Sequence, residues 1–248
     1  MPGAARAALA VVLLLGPTVI AFFSGGYFGG PRLWAGIVVW LLVGLAAACA
    51  PVLLPRSGPA RLALAGLAGL TLLTGLSYFW APAAGVVEQD LQRLLLYLGA
   101  LIAATAFLRT PNGLRLAEPI LLAGATIVNG YGVLGRLLPG VIHQYHSVSA
   151  FGRLEQPLTY WNAMGILAAV GLVLAARIAG DPSRGAAGRA ASAAAALPLG
   201  VGLYLTFSRG SLLAAGVGVF LLLTLSRDSA QLRAVLLVAA GAVGAALD

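Results

Sequence analysis

The sequence has no lysine, one cysteine and two histidines, and only 9% of its 248 residues are charged. The single cysteine, Cys49, excludes a disulfide within the chain and a cysteine-based metal site. Because soluble domains are about a quarter charged, the small charged fraction excludes a water-soluble globular protein. The net charge of +8 comes from arginines scattered between apolar runs. Without a basic cluster, the sequence does not indicate a nucleic-acid-binding surface, and no nucleic acid partner is expected.

Hydrophobic residues make up 60% of the chain, and they occur in runs long enough to cross a bilayer. Residues 22–26 match a signal-peptidase cleavage site poorly, and further apolar runs follow the first one. The first apolar run therefore predicts a retained helix and not a secretory signal. The 33 glycines predict closely packed helices. The fold class is therefore all-α, a polytopic transmembrane bundle forming one domain over 1–248. The predicted spans are 5–24, 33–54, 62–80, 92–108, 119–138, 160–179, 191–207, 211–225 and 233–247.

The distribution of arginine predicts the orientation of these nine spans. With a cytoplasmic N-terminus, ten arginines lie inside and five outside, which agrees with the excess of positive charge in cytoplasmic loops. The inside arginines are Arg6, Arg56, Arg61, Arg109, Arg115, Arg177, Arg184, Arg189, Arg227 and Arg233; the outside ones are Arg32, Arg93, Arg136, Arg153 and Arg209. This alternation depends on dividing 191–225 into two spans at Arg209.

Two segments outside the apolar runs are long enough to hold a site, and both are predicted on the outer side. Segment 81–93 contains Glu88, Asp90 and Arg93, which are expected to pair along the chain. Its apolar residues share one helical face, which favours a helix lying in the membrane interface: Val87, Leu91, Leu94 and Leu95. Segment 139–159 contains both histidines, Arg153 and Glu155.

Arg209 lies between two long apolar stretches. An arginine near the membrane core costs about 2.5–3.5 kcal/mol on insertion scales, so it usually has a partner or a function. Ser208 is predicted to cap the following helix, and Gly210 allows another group to approach the backbone. A helix N-terminus with a guanidinium group suits a phosphate or pyrophosphate. The alternative is a tight outer turn whose arginine extends to lipid head groups.

A second group of polar residues follows Pro157. Tyr160 and Trp161 are typical of the aromatic belt where a span begins, and Asn162 is expected one turn inside the helix. Arg153 and Asn162 can converge on an anionic ligand that carries sugar. The alternative is an Arg153–Glu155 surface pair, an interfacial anchor, and an amide bonded to a neighbouring helix.

The candidate catalytic residues are His143, His146 and Glu155. The two histidines are three residues apart, and imidazole is the side chain most often used as a general base, so either can take that role. The alternative is that they are solvated polar residues of the loop. Without a carboxylate pair or a cysteine nearby, no metal site is expected.

Taken in order, several short motifs between about 75 and 225 resemble the O-antigen ligase and polymerase superfamily of bacterial membrane glycosyltransferases. No motif is highly specific alone, and the resemblance rests on their order and outer placement. They are Trp80-Ala81-Pro82 with Glu88, Arg93 and Tyr97, then Gly152-Arg153-Leu154, Pro157-Leu158 and Tyr160–Ala163, and finally Thr206–Gly210.

The resemblance implies a protein of the cytoplasmic membrane that acts at its outer face. It implies transfer of a glycan from undecaprenyl pyrophosphate to an acceptor sugar, without a nucleotide sugar, metal or other cofactor. Arg209 corresponds to a pyrophosphate-binding arginine, Arg153 is a second expected contact, and the supporting residues are Ser208, Gly210, Tyr160, Asn162 and Arg93.

The chain departs from the family pattern after its ninth apolar run. Family members have a later outer loop with a further arginine and a histidine proposed to activate the acceptor, whereas this sequence ends at Asp248. His143 and His146 precede the Ser-Arg-Gly motif and are not equivalent to that histidine. The expectation is that the sequence is the N-terminal part of a longer enzyme. The alternatives are a non-catalytic subunit that binds the carrier lipid, and a transporter or flippase.

Overall fold

The structure, a computed structural model, describes residues 3–49, 53–226 and 228–247. Within these ranges all regular structure is helical, and short 3₁₀ turns occur at Ser24–Gly26 and Val148–Ala150. The α-helices are α1 (Gly3–Ala21), α2 (Gly29–Cys49), α3 (Gly58–Ser77), α4 (Ala84–Phe107), α5 (Pro111–Leu137), α6 (Trp161–Ala179), α7 (Ala186–Ala194), α8 (Ala196–Leu205), α9 (Arg209–Ser226) and α10 (Ser229–Leu247).

Nine helical segments of the described residues are long and apolar enough to cross a membrane. Eight are single helices, and the ninth, Ala186–Leu205, consists of α7 and α8 in succession. The predicted all-α fold with about nine spans is therefore confirmed, and the chain is a multi-pass membrane protein.

The start of α4 differs from the prediction for segment 81–93. Residues from Ala84 onward are the first turns of α4, so this segment is continuous with the span predicted at 92–108. No proline follows Pro82 before the helix ends, so nothing interrupts helix formation where the segment meets the apolar run. Val87, on the predicted apolar face, is buried within the chain.

The described contacts divide the chain into two compact units. Unit 1 contains residues 1–16 and 26–117, and unit 2 contains residues 17–25 and 118–248. The division falls at Pro17 inside α1, and proline lacks the N–H that a helix interior uses.

Unit 1 has a core formed by small and apolar side chains of α1, α2 and α4. Glycine permits a close approach of α2 to α4, since a Cβ at Gly99 would lie 2.6 Å from Val39 Cγ1. Arg32 is only 2% exposed, and its guanidinium donates to the Tyr27 carbonyl (3.1 Å) and to Gln92 Oε1 (3.3 Å). The buried core residues are Ala10, Leu42, Ala46, Ala103, Ala106 and Phe107.

Unit 2 has its main core between α5, α6, α8 and α10. Its helices pack closely through glycine, as the sequence predicts: a Cβ at Gly171 would lie 2.8 Å from Leu199 Cδ2. The buried core residues are Leu122, Ala125, Ala168, Leu172, Ala175, Ala176, Ile178, Ala196, Leu199, Leu203, Val235 and Val238.

A charged cluster of unit 2 lies where α6 ends. Arg184 pairs with Glu118 of α5 and, at 3.5 Å, with Asp181, while Arg177 lies 3.6 Å from Asp181. The hydroxyl of Ser183 donates to Asp181, and this hydrogen bond is the largest cause of a lowered pKa of the Asp181 carboxyl. The cluster thus joins the end of α6 to α5 through ionised groups.

Candidate functional site

The helices α8 and α9 are separated by three residues, Thr206–Ser208. Phe207 has a φ of 49°, in the left-handed region, so the helix cannot continue through it. Ser208 caps α9, since its Oγ accepts a hydrogen bond from the Ser211 N–H at 3.3 Å. The predicted division of 191–225 and the predicted cap at Ser208 are both confirmed.

Buried hydroxyl groups form hydrogen bonds at this break. Thr206 Oγ1 donates to the Leu203 carbonyl (2.7 Å), and Ser211 Oγ donates to Ser208 Oγ (2.8 Å). Arg209 and Gly210 are the first two residues of α9, so their backbone N–H groups have no acceptor within the helix. The start of α9 therefore presents two N–H donors beside the Arg209 guanidinium.

The start of α6 packs directly on the α8–α9 break. Ser211 Oγ reaches the Asn162 carbonyl at 3.4 Å, and a Cβ at Gly165 would lie only 2.5 Å from Ser211 Oγ. Just before α6, the Leu154 N–H donates to the Leu205 carbonyl at 2.9 Å. These contacts bring the Arg153 segment to the Ser-Arg-Gly motif, although the two are far apart in sequence.

An open cavity of about 1160 Å³ lies at this junction, within unit 2. One part of its lining is polar and includes Arg153, Asn162, Ser208, Arg209 and Gly210. The rest is mostly apolar and is formed by α6, α8, α9 and α10, including Ile166, Leu172, Gly200, Leu203, Leu212, Ala242, Val243 and Ala246. The cavity is therefore amphipathic, with cationic groups in its lining and long aliphatic walls.

The two arginines of the cavity are held differently. The Arg153 guanidinium lies over the Trp161 ring, 5.0 Å from its centroid, a cation–π arrangement that restricts its movement. Arg209 is exposed at the first position of α9. In the described part of the chain neither forms an ion pair with a carboxylate, so their charges are not neutralised by the protein and favour an anion in the cavity.

The position of Asn162 in α6 differs from the prediction. Asn162 is the second residue of α6 and not one turn inside it, because the helix begins at Trp161. Its Nδ2 donates to the Tyr160 hydroxyl at 2.7 Å, so the amide is not buried without a partner. The Asn162 side chain lines the cavity, and Gly210 faces open space, with nothing within 4 Å of a Cβ built there.

The candidate catalytic residues do not line the cavity. His143 and His146 are exposed in the loop before α6, and Glu155 is only 2% exposed. Glu155 accepts hydrogen bonds from the Ser147 N–H and, at 2.7 Å, from the Ser147 hydroxyl. The alternative of an Arg153–Glu155 surface pair is therefore wrong, because this carboxylate is turned inward to satisfy the loop backbone.

We expect Glu155→Ala to lower the free energy of unfolding by about 1–3 kcal/mol, because it removes a buried carboxylate that accepts two hydrogen bonds from Ser147. Glu155→Gln retains an acceptor and should cost less. Thermal unfolding in detergent micelles measures both effects. A Glu155→Ala protein of unchanged stability that lost only catalytic turnover would show that Glu155 acts in chemistry.

Arg93 belongs to unit 1. It forms an ion pair with Asp90 at 2.8 Å, and Gln92 donates to Glu88 Oε1 at 3.4 Å. The expected pairing along this segment is thus confirmed for Asp90 and Arg93. Across the described residues, no group of three or more histidine, cysteine or acidic side chains is arranged to hold a metal ion.

Sequence reasoning missed several residues of the cavity. Tyr204 and Phe207 line it with rings 5.7 Å apart, and Ser211 anchors the break to α6. Ser211 is three residues after the cap, a spacing that signals a role in the first helical turn. No local signal identifies the α10 residues, because their place in the wall depends on how α10 packs against α8.

Comparison of the chain with protein-family models, with curated proteins and with solved structures finds no match.

Proposed function

We propose that this protein binds a glycan carried on undecaprenyl pyrophosphate and transfers the glycan to an acceptor sugar at the outer face of the cytoplasmic membrane. The observation that carries the proposal is the cavity shared by Arg153 and Arg209, which combines unpaired cationic groups with long apolar walls. A ligand matching both features is an anion attached to a hydrocarbon chain.

The polar part of the cavity suits a pyrophosphate group. Two guanidinium groups and the backbone N–H groups of Arg209 and Gly210 are donors of the kind that bind phosphate oxygens. The Ser208 side chain, 5% exposed, lies in the same lining and fixes the first turn of α9. Donors from two segments can therefore contact one pyrophosphate.

The apolar walls suit the polyprenyl chain. They are formed by helices that are long and apolar enough to span a bilayer, so a lipid tail in this cavity remains within the hydrocarbon region. The aromatic rings of Trp161, Tyr204 and Phe207 lie in the cavity lining and offer flat apolar surfaces to a sugar ring.

The outer location in this proposal rests on the distribution of arginine. With the N-terminus inside, the α8–α9 break and the loop before α6 both face outward, which is the side where lipid-linked glycans are used by the family that the sequence resembles. The excess of arginine in the opposite loops favours this orientation.

In the proposed reaction, the acceptor hydroxyl forms a bond to the anomeric carbon while the bond to the pyrophosphate oxygen breaks. The hydroxyl proton passes to water, and undecaprenyl pyrophosphate departs with additional negative charge. Arg153 and Arg209 would stabilise that charge as it develops, which lowers the barrier to transfer. The residues described in the cavity lining include no histidine, aspartate or glutamate to take the proton.

This composition of the lining favours a second candidate function, binding of the carrier lipid without transfer. Such a subunit would need the two arginines and the apolar walls but no general base. The two candidates share the ligand and differ in whether the glycan leaves it.

One experiment separates the two candidates. The chain, reconstituted in vesicles, is given undecaprenyl pyrophosphate carrying a radiolabelled glycan, together with an acceptor glycan. Transfer predicts labelled acceptor and free undecaprenyl pyrophosphate, whereas the binding function predicts retained lipid without labelled acceptor. If undecaprenol competes with the labelled lipid as well as undecaprenyl pyrophosphate does, the pyrophosphate is not recognised and both candidates are wrong.

A further inference from the structure

In the loop between α5 and α6, residues 138–160, several polar side chains form hydrogen bonds with the loop itself and with α5. Besides the Glu155–Ser147 bonds, Gln144 Nε2 donates to the Tyr131 carbonyl (2.9 Å), and Gln156 Nε2 donates to the Tyr145 carbonyl (2.7 Å). The Gln144 side chain packs against Gly135 so closely that no Cβ would fit there. These bonds give the loop one compact shape within unit 2.

Four large apolar side chains of the same loop face outward. Val148 is 90% exposed and Phe151 is 84% exposed, and Val141 and Tyr145 are also exposed. A loop in water normally has the opposite arrangement, because exposing several large apolar side chains in one segment is unfavourable. The outward side chains therefore indicate an apolar or interfacial environment around the loop.

We propose that the outward surface of this loop, formed by Val141, Tyr145, Val148 and Phe151, inserts into the head-group layer of the bilayer. The surface is continuous in sequence with an exposed apolar patch at the end of α5, formed by Leu134, Leu137 and the following Leu138. Because α5 and α6 are both long enough to span, the loop that joins them lies at the membrane surface.

The polar groups that accompany these side chains suit the same environment. Arg136, His143 and His146 are exposed on or beside the loop. Aromatic residues and cationic groups are typical of the layer between hydrocarbon and water. The anchor is independent of the ligand proposed for the cavity, since none of its four apolar residues lines that cavity.

Spin-label depth measurements test the proposal. Cys49 is replaced by serine, single cysteines are introduced as Val148→Cys and Phe151→Cys, and each protein is labelled and reconstituted in vesicles of phosphatidylethanolamine and phosphatidylglycerol. Collision rates with oxygen and with a water-soluble nickel complex, present on both faces, report depth. We expect both labels to lie about 5–10 Å below the membrane surface.

Two further labelled positions calibrate the measurement. Phe220→Cys, on the exposed apolar surface of α9, should lie deep in the hydrocarbon, and Gly185→Cys, in open space before α7, should be accessible to nickel. Thermal unfolding shows whether each labelled protein remains folded. Adding Val148→Asp to the Phe151→Cys protein should raise the nickel accessibility of the label at 151.

Three results would overturn the proposal. One is equal nickel accessibility at 148, 151 and 185. Another is spin–spin broadening at 148 or 151 that disappears on dilution with unlabelled protein, which would show a second copy of the chain covering the surface. The third is a label at 151 whose depth does not respond to Val148→Asp.

Discussion

Replacing Arg209 with alanine should weaken the binding of undecaprenyl pyrophosphate about 10- to 150-fold. Hydrogen bonds to charged groups contribute about 1.5–3 kcal/mol each, and every 1.4 kcal/mol changes the dissociation constant tenfold. Arg209 is exposed in the cavity without a carboxylate partner among the described residues, so its loss removes a ligand contact without leaving a buried acidic group unpaired. Lipid binding is measured with the purified protein in detergent micelles.

Two variants serve as controls for Arg209→Ala. Arg209→Lys keeps the charge but loses the planar fork, so it should weaken binding less than alanine does. Arg136→Ala removes an exposed arginine that does not line the cavity and should leave affinity unchanged. Equal losses for Arg136→Ala and Arg209→Ala would show that general charge, and not this site, attracts the lipid.

A double-mutant cycle with Arg153→Ala extends this test. If both guanidinium groups bind the same pyrophosphate, the two substitutions should be non-additive by about 0.5–3 kcal/mol. Additive effects would place the two arginines on separate ligands.

Replacing Gly200 with alanine should destabilise unit 2 by about 1–3 kcal/mol, the usual cost of an extra methyl group in a well-packed core. A Cβ at Gly200 would lie 2.5 Å from the carbonyl oxygen of Ala242, a backbone atom of α10 that cannot rotate away. The two helices would have to separate. Because Gly200 and Ala242 both line the cavity, lipid affinity should fall with stability.

Gly216→Ala is the matched control, since a Cβ at Gly216 in α9 meets nothing within 4 Å. It should be neutral or stabilising by up to about 1 kcal/mol, the difference in helix propensity between glycine and alanine. Thermal unfolding in the same micelles compares both variants with the parent protein. If Gly200→Ala were as stable as Gly216→Ala, α8 and α10 would not pack as closely as described.

Hydropathy alone predicted most of the fold, because spanning a bilayer requires about 20 apolar residues and few charges. The break before Arg209 was also predictable, since an arginine in an apolar run favours a helix end. The start of α4 was not, because an amphipathic segment can lie in the interface or continue a spanning helix. Burial of Val87 within the chain, which the local sequence does not determine, favours the continuous helix.

The site was predictable in part. Ser208 and Arg209 were candidates from local chemistry, and so was Arg153, because its guanidinium and the Asn162 amide can converge on an anion. The inward turn of Glu155 was not predictable, because a carboxylate two residues from an arginine favours a surface pair on sequence grounds. Its burial depends on Ser147, which lies eight residues away across an irregular loop.

The hydrogen bond between the Leu154 N–H and the Leu205 carbonyl restricts where the chain can gain or lose residues without moving the two arginines apart. It joins the backbone next to Arg153 to the end of α8, shortly before Arg209. Because Leu154 directly follows Arg153, the separation of the two arginines is set by this hydrogen bond and by residues Thr206–Ser208 of the α8–α9 break. Insertions or deletions before Gln144 can change the length of the outer loop without altering the spacing of the two charges, whereas length changes between Leu205 and Arg209 would alter it.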